Sequence, residues 1–306
     1  MRSTKAQGEV SDVIVDAMSV DLEDYFHVEA FAGSVSRADW PHFESRVRRN
    51  TERVLELFGR YNCRATFFVL GWVAERDPAL IREVASAGHE IGCHSYWHRR
   101  VNTLSPAEFR EDLNQARAAI EDACGAKVLG HRAPTFSIVK ESLWALDVLA
   151  DEGFLYDSSI FPVRHDTYGF PEATRWQHDI QLKNGRNIVE IPMSTVRIFG
   201  QNLPVGGGGY LRLLPMTCTN RAIRSIHQKE KQSVIVYFHP WEIDTKQPRI
   251  ATNLKSRLRH YTGLAQMESR LVRLLEREHF CPIIELIRDR TTESSVTDSA
   301  MASSAR

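Results

Sequence analysis

Two histidines four residues apart, His94 and His98, are the side chains whose type and spacing most directly suggest metal chemistry. One helical turn or a tight loop can point both imidazoles at one ion, and a carboxylate from another strand would complete a facial set of ligands. The open positions would then hold water and substrate. Spacing alone is weak support, because two polar loop residues give the same pattern, so the pair needs companions.

Acidic side chains are crowded directly after an apolar segment near the N-terminus. Asp21, Glu23 and Asp24 follow or end the β-branched run at residues 13–20. Like charges at such a position raise at least one pKa unless a cation compensates. One carboxylate could bind a metal while another serves as general base. The alternative is a solvated turn or the acidic start of a helix.

Two further polar side chains follow predicted strands. Arg132, in the segment 130–134, could pair with a carboxylate and hold it ionised, or it could be a surface arginine beside a turn proline. His239 ends the apolar run 234–238 and could be a general acid with Trp241 packed nearby, or a loop histidine. A metal, a carboxylate base and a histidine acid together form a hydrolytic set for an amide or ester.

Short apolar runs alternate with amphipathic segments along most of the chain. The pattern predicts strands at 13–20, 65–70, 89–94, near 128, 188–193, 234–238 and 281–287, and helices at 44–61, 78–88, 105–124, 142–152 and 253–277. Repeated β-then-α units indicate a parallel sheet, open or closed into a barrel. Parallel sheets place function at the carboxyl ends of their strands, and the polar clusters lie there.

Composition limits the classes of protein to consider. Lys+Arg and Asp+Glu balance at 39 each in 306 residues, so no overall field favours nucleic acid. The five cysteines are scattered and never form a CxxC pair, which favours a reducing compartment, and no signal peptide or membrane span is predicted. We therefore expect a cytoplasmic protein with a flexible N-terminus over 1–12, one ordered domain over 13–288 and a disordered tail over 289–306.

Taken together, these motifs resemble the NodB-homology polysaccharide deacetylases, carbohydrate esterase family 4. The resemblance rests on the acidic motif at 19–24, HSxxH at 94–98, RxP at 132–134, Tyr-Asp-Ser-Ser at 156–159 and the strand that ends in His239. It covers residues 13–245 or so. The segments 21–27, 239–244 and 259–261 are similar to the branch associated with exosortase and exopolysaccharide gene clusters.

The resemblance implies an α/β fold, a distorted (β/α)7 barrel in a single domain, with a C-terminal extension from about residue 245. It also implies a divalent metal, most often zinc, with His94 and His98 as ligands. Asp21 becomes the general base, Arg132 the residue that orients it, and His239 the general acid. A water activated by the metal would attack the acetamide of an N-acetylated amino sugar or oligosaccharide during exopolysaccharide biosynthesis.

The third metal ligand is left open by a departure from the family pattern. The usual motif has two adjacent aspartates, base then ligand, but Leu22 follows Asp21 here. The ligand is therefore Glu23, which some relatives' Asp-x-Asp spacing favours, or Asp24, whose short side chain resembles the usual ligand.

Substrate contacts are predicted from aromatic residues and from the RxP motif. The set is Tyr25, Trp97, Pro134, Tyr210 and Trp241, although core packing is the alternative for any one aromatic ring. The glycine run 206–209 lacks the GK[ST] ending of a phosphate-binding loop, so we expect it to permit close approach of a sugar or of backbone, with Tyr210 stacking on a pyranose.

Two other functions fit the same residues. One is a metal amidohydrolase that acts on a small non-sugar amide. The other is a non-catalytic glycan-binding protein on this fold, which the presence of Asp21, His94, His98, Arg132 and His239 disfavours.

Overall fold

The computed structural model describes residues 14–183 and 185–287. The predictions of a flexible N-terminus over 1–12 and a disordered tail over 289–306 concern residues outside this part of the chain. Within it, no helix is long and apolar enough to cross a membrane.

One large, mostly parallel sheet forms the centre of the molecule. Its strands run in the order β10-β1-β2-β3-β4-β5-β7-β6, with β11 pairing beside β1, and only the β6–β7 pair is antiparallel. The strands are β1 Asp16–Leu22, β2 Thr66–Val69, β3 Glu90–Cys93, β4 Gly130–His131, β5 Tyr156–Asp157, β6 His178–Gln181, β7 Asn187–Glu190, β10 Ile235–Phe238 and β11 Phe280–Cys281. Every residue of β1, β2 and β10 is buried, as expected for strands covered on both faces.

Helices cover the outer face of the sheet and connect its strands. They are α1 Val47–Arg60, α2 Gly71–Arg76, α3 Pro78–Ser86, α4 Pro106–Cys124, α5 Trp144–Asp151, α6 Gly208–Leu213, α7 Met216–Ser225, α8 Leu254–Tyr261 and α9 Leu264–Leu275. A capping box opens α4, where Ser105 and Glu108 each accept from the other's backbone N–H. At α3 and α8 the side chains of Asp77 and Asn253 each accept one backbone N–H, from Leu80 and Ser256.

The sheet curls into a half-barrel that irregular backbone continues beyond β10. The predicted glycine run lies at this point, where Gly207 bridges to Tyr237 of β10 in parallel register. A Cβ on Gly206 would lie 2.2 Å from the carbonyl oxygen of Ile235, so only glycine allows this approach. The glycines therefore allow the close approach of another backbone segment, that of β10, as one of the two predicted alternatives. The antiparallel hairpin β8 Thr195–Ile198 and β9 Gln201–Pro204 precedes them.

The structure corrects two predicted elements near the C-terminus. The single helix expected over 253–277 is two helices, because Gly263 has a φ of +83° and its Cα lies against the backbone of Arg212, where a Cβ would meet the carbonyl oxygen at 2.7 Å. The strand expected over 281–287 stops at Cys281, since Pro282 cannot donate to the sheet and residues 283–287 turn helical.

A glycine in β4 provides a test of the packing inside the barrel. A Cβ at Gly130 would lie 2.1 Å from the ring of Tyr156, which is buried and donates from its hydroxyl to Glu90. We expect Gly130→Ala to lower the free energy of unfolding by about 2–3 kcal/mol, since the ring has nowhere to move. The matched control is Gly59→Ala in α1, where nothing lies within 4 Å of the new methyl. That change should stabilise by up to ~1 kcal/mol. Equal effects in urea unfolding would contradict this packing.

Candidate active site

The predicted catalytic and ligand side chains lie together at the carboxyl ends of neighbouring strands. Asp21 and Glu23 lie at the end of β1, and His239 directly follows β10. His94 and His98 follow β3, and Arg132 follows β4. Because β10, β1, β2, β3 and β4 are adjacent in the sheet, residues distant in sequence share one edge.

Arg132 is fully buried and holds Asp21 by its guanidinium group. Its Nη1 donates to Asp21 Oδ1 at 2.8 Å and to Ser19 Oγ at 2.9 Å, while Nε and Nη2 donate to the carbonyl and hydroxyl of Ser158. The guanidinium carbon lies 4.2 Å from the ring centroid of Phe68. The side chain is therefore fixed on every side, and with it the orientation of the Asp21 carboxylate.

Glu23, His94 and His98 bring one ligand atom each to within 4.8 Å of one another. All three are buried, and Glu23 Oε2 lies 2.9 Å from His98 Nε2. His94 Nδ1 donates to the carbonyl of Arg132 at 2.8 Å, which leaves Nε2 with its lone pair free. Burial lowers the pKa of His94 to about 4, so the imidazole is neutral near pH 7.

Asp24 is directed to a different part of the molecule. Its Oδ2 accepts hydrogen bonds from the backbone N–H groups of Arg46 and Val47 and from the hydroxyl of Ser45, at the start of α1. The carboxylate thus serves the N-terminus of a helix, where backbone donors and the helix dipole favour negative charge. Of the two acids that the sequence left open, Glu23 and not Asp24 shares the histidine cluster.

His239 faces the acidic residues from the end of β10. Its Nε2 lies 3.8 Å from Asp21 Oδ2 and 3.6 Å from Glu23 Oε1, and its Nδ1 donates to Glu242 Oε1 at 2.7 Å. Glu242 forms a buried ion pair with Arg212 at 2.6 Å. Burial opposes protonation of His239, but the hydrogen bond to Glu242 and the charge of that carboxylate outweigh it and raise the pKa of the imidazole to about 8.

Asp112 is a buried acid of this region that the sequence analysis missed. Its Oδ2 accepts from the Ser95 hydroxyl at 2.6 Å and from the Tyr96 backbone N–H at 2.8 Å. The segment it holds joins the two histidines and contains Ser95 and His98 in left-handed conformation, with φ of 67° and 50°. Such backbone persists only where the surroundings enforce it. The sequence contained a signal for this role, because Asp112 is an acid within the otherwise apolar buried face of α4, between Phe109 and Ala116.

A cavity of about 190 Å³ opens over the cluster. Of the five predicted substrate contacts, Trp241 lines it, stacked between His239 and His260 with centroids 5.0 and 4.2 Å away. Other walls are supplied by residues that the sequence analysis did not single out: Val28, Glu29, Ala30, Thr135, Phe136, Tyr168, Arg212, Tyr237, Arg259 and His260.

The other four predicted contacts do not line this cavity. Tyr25 is buried in the hydrophobic core, edge-on to Phe26, and Trp97 packs beside Trp40 with 6.0 Å between ring centroids. Pro134 is buried just before cavity-lining residues, and Tyr210 hydrogen-bonds to Tyr168, whose ring lines the wall. Aromatic residue type alone therefore did not distinguish side chains that line the cavity from side chains that pack in the core.

Family models match two successive parts of the chain. One, described as polysaccharide deacetylase, matches residues 39–150. This confirms the resemblance to the polysaccharide deacetylases that was found in the motifs. A second model, described as a domain of unknown function (DUF3473), matches residues 158–288 of the same chain.

Relatives of the polysaccharide deacetylase domain are matched over part of their length. A chitooligosaccharide deacetylase of Bradyrhizobium is 33% identical over 100 residues, which is 33% of this chain and 43% of the relative. A peptidoglycan deacetylase of Helicobacter pylori is 30% identical over 153 residues, 48% of this chain and 50% of the relative. The alignments thus span half or less of these relatives.

A solved structure confirms the fold. A Mycobacterium smegmatis protein assigned as a polysaccharide deacetylase superposes with a TM-score of 0.60 over 93% of both chains, at 19% identity. The curled, mostly parallel sheet with its helices is the distorted (β/α)7 barrel that was predicted. The first family model ends at residue 150, inside α5, and the second begins at residue 158, just after β5. Because β5 pairs with β4 on one side and with β7 on the other, one continuous sheet joins the two parts in a single structural domain.

Removing the acceptor that holds the histidine segment should cost stability. Asp112→Asn keeps the shape but replaces one acceptor oxygen by an amide, and we expect a loss of about 1.5–3 kcal/mol in the free energy of unfolding. Glu111→Gln changes the same charge one residue earlier on the exposed face of α4 and should stay within ~0.5 kcal/mol. Urea unfolding of both variants measures the two changes in the free energy of unfolding. Equal losses would show that Asp112 does not stabilise the segment between the two histidines.

Proposed function

We propose that this protein is a metal-dependent hydrolase that removes N-acetyl groups from an amino sugar or oligosaccharide. The observation that carries the proposal is the convergence of Glu23, His94 and His98 on one point beside the Asp21–Arg132 pair and His239. The names of the matched relatives support a sugar as substrate. The exosortase-like segments support a role in exopolysaccharide biosynthesis, and the five cysteines, none in a disulfide, support the cytoplasm.

The residues present fit a divalent metal, and their donor types favour zinc. Two imidazoles and one carboxylate are a common catalytic zinc donor set, and His94 already has the outer hydrogen bond that orients such a ligand. Glu23 Oε2 is buried and faces His98 Nε2 at 2.9 Å, so both groups present donor atoms to the same point. A bound ion would supply Lewis-acid polarisation of a carbonyl oxygen and lower the pKa of a water.

The chain's own residues then divide the proton transfers between them. Asp21 is the proposed general base and accepts a proton from the attacking water, while Arg132 fixes the orientation of its carboxylate by a hydrogen bond. His239 is the proposed general acid and donates its Nε2 proton to the departing amine, since Nδ1 is held by Glu242. The rings of Phe136, Tyr168 and Trp241 give the cavity apolar walls beside a bound sugar, although the two faces of Trp241 are stacked on His239 and His260.

Metal titration distinguishes Glu23 from Asp24 as the third metal ligand. Glu23→Ala should weaken zinc binding by more than the ~10–100-fold that loss of an outer partner costs, because it removes a ligand atom. Asp24→Ala should leave zinc affinity unchanged and instead lower the free energy of unfolding by about 1–2 kcal/mol through the lost helix cap. Calorimetric titration against a competing chelator, with urea unfolding, gives both numbers. The reverse pattern would assign the ligand to Asp24.

Acetate release tests the reaction. With zinc present, the purified protein should release acetate from N-acetylated oligosaccharides, and Asp21→Asn should lower kcat about 10²–10⁴-fold while zinc still binds. Hydrolysis of small non-sugar amides in place of every acetylated sugar would favour the amidohydrolase alternative. A variant Asp21→Asn as active as the wild type would contradict the proposed base.

A further inference from the structure

Exposed apolar side chains are concentrated in one region of the described chain. Of its eight exposed large hydrophobic residues, six lie between residues 198 and 258: Ile198, Phe199, Leu203, Leu213, Leu254 and Leu258. Two of them, Leu254 and Leu258, are four apart on α8 and share a face of that helix. Scattered single residues of this kind are normal, but a concentration of them marks an interaction surface.

The elements that carry these residues are joined to one another at the mouth of the cavity. Asp166 forms ion pairs with Lys255 and Arg259 on α8, and Asn202 of the β8–β9 hairpin donates to the carbonyl of Pro162. Both contacts fall on the loop 162–171, which also carries the cavity-lining Tyr168. Arg212 of α6, next to Leu213, donates to carbonyls at the end of α8. We call the hairpin β8–β9, α6 and α8 the rim.

The hairpin turn places a bulky residue where the backbone disfavours one. Phe199 is fully exposed and has a φ of +49°, followed by Gly200 at +78°. Turns of this shape ordinarily use Asn or Gly at the first position, because a larger side chain there costs energy. An aromatic ring held in solvent at such a position gains nothing for folding. Its position is explained if the ring is buried against something outside the chain.

The rim, with the segment that leads into α8, is cationic in an otherwise neutral protein. The segments 195–216 and 245–263 contain no Asp or Glu and six exposed basic residues: Arg197, Lys246, Arg249, Lys255, Arg257 and Arg259. Asp166 pairs with two of them, and Arg212 is buried against Glu242. Over the whole chain the two signs balance at 39 each. A surface that mixes exposed leucine and phenylalanine with basic residues is typical of proteins that lie on anionic membranes.

We propose that the rim docks on the surface of an anionic lipid bilayer. Phe199, Leu254 and Leu258 enter the interface between headgroups and acyl chains, and the basic side chains contact lipid phosphates. A second copy of the chain fits less well, since a symmetric contact would set the cations of one rim against those of the other. Docking faces the cavity mouth toward the membrane. If the proposed deacetylase function holds, the rim favours a lipid-linked amino-sugar glycan over a free one.

Vesicle co-sedimentation tests the docking without any use of activity. Full-length protein is spun with vesicles of phosphatidylcholine alone and of phosphatidylcholine mixed with phosphatidylglycerol. We expect binding to the mixed vesicles that weakens as salt is raised, and much less binding to the neutral ones. Equal partition to both vesicle types, or no partition to either, would overturn the proposal. Acetate release is measured separately, so failure of the deacetylase function leaves this result interpretable.

Matched variants separate the rim from the rest of the surface. Arg257→Glu should weaken vesicle binding at least about fivefold, since each basic residue near an anionic surface contributes on that order, whereas Arg224→Glu on the exposed face of α7 should not. Phe199→Ser and Leu254→Ser/Leu258→Ser should weaken it further, with Leu155→Ser as the exposed apolar control outside the rim. Thermal melts of all variants report folding.

Light scattering tests whether a second copy of the chain, and not a membrane, binds the rim. A protein that stays monomeric at the concentrations used for sedimentation, with binding lost only in rim variants, agrees with membrane docking. A dimer that Phe199→Ser or Arg257→Glu dissociates, with vesicle binding unaffected, would assign the rim to a second copy and overturn the proposal.

Discussion

The arrangement of this site depends on one buried guanidinium group. Arg132 has no exposed surface, and its side chain donates to Ser19 and Asp21 of β1 and to Ser158 beyond β5. A charge removed from water at this depth is tolerated only when its partners are complete. The same residue acts through its backbone, since its N–H donates to Cys93 and its carbonyl accepts from His94. One position thus sets both the carboxylate and the first histidine.

The residues of the site could be predicted from the sequence because each follows a recognisable strand. The strands and the polar residues that follow them are local features, and parallel order brings their carboxyl ends to one edge whatever the loops do. Asp21, His94, His98, Arg132 and His239 were found in this way, and the structure places them together. The predicted helices are also present at α4, where a capping box and apolar spacing agree, and at α5, where apolar spacing alone indicated the helix.

What could not be predicted depends on contacts between distant segments. Asp24 and Glu23 are chemically similar, and only the arrival of α1 about twenty residues later gives Asp24 its three donors. The same holds for aromatic residues, since Tyr25 and Trp241 differ by what packs on them and not by local pattern. The break between α8 and α9 arises because the Arg212 backbone lies against Gly263.

Each of the two family models covers a part of the chain that contributes both strands to the sheet and residues to the site. The histidine cluster and Arg132 lie in or near the part matched by the polysaccharide deacetylase model, whereas His239, Trp241 and about half of the other cavity walls lie in the part matched by DUF3473. The pair Glu242–Arg212, which fixes His239 from behind, belongs wholly to that second part. The second part therefore contributes the proposed general acid and part of the cavity wall, while the remaining wall and the metal-donor residues come from the preceding part of the chain. The exposed rim beside the cavity belongs to the second part as well.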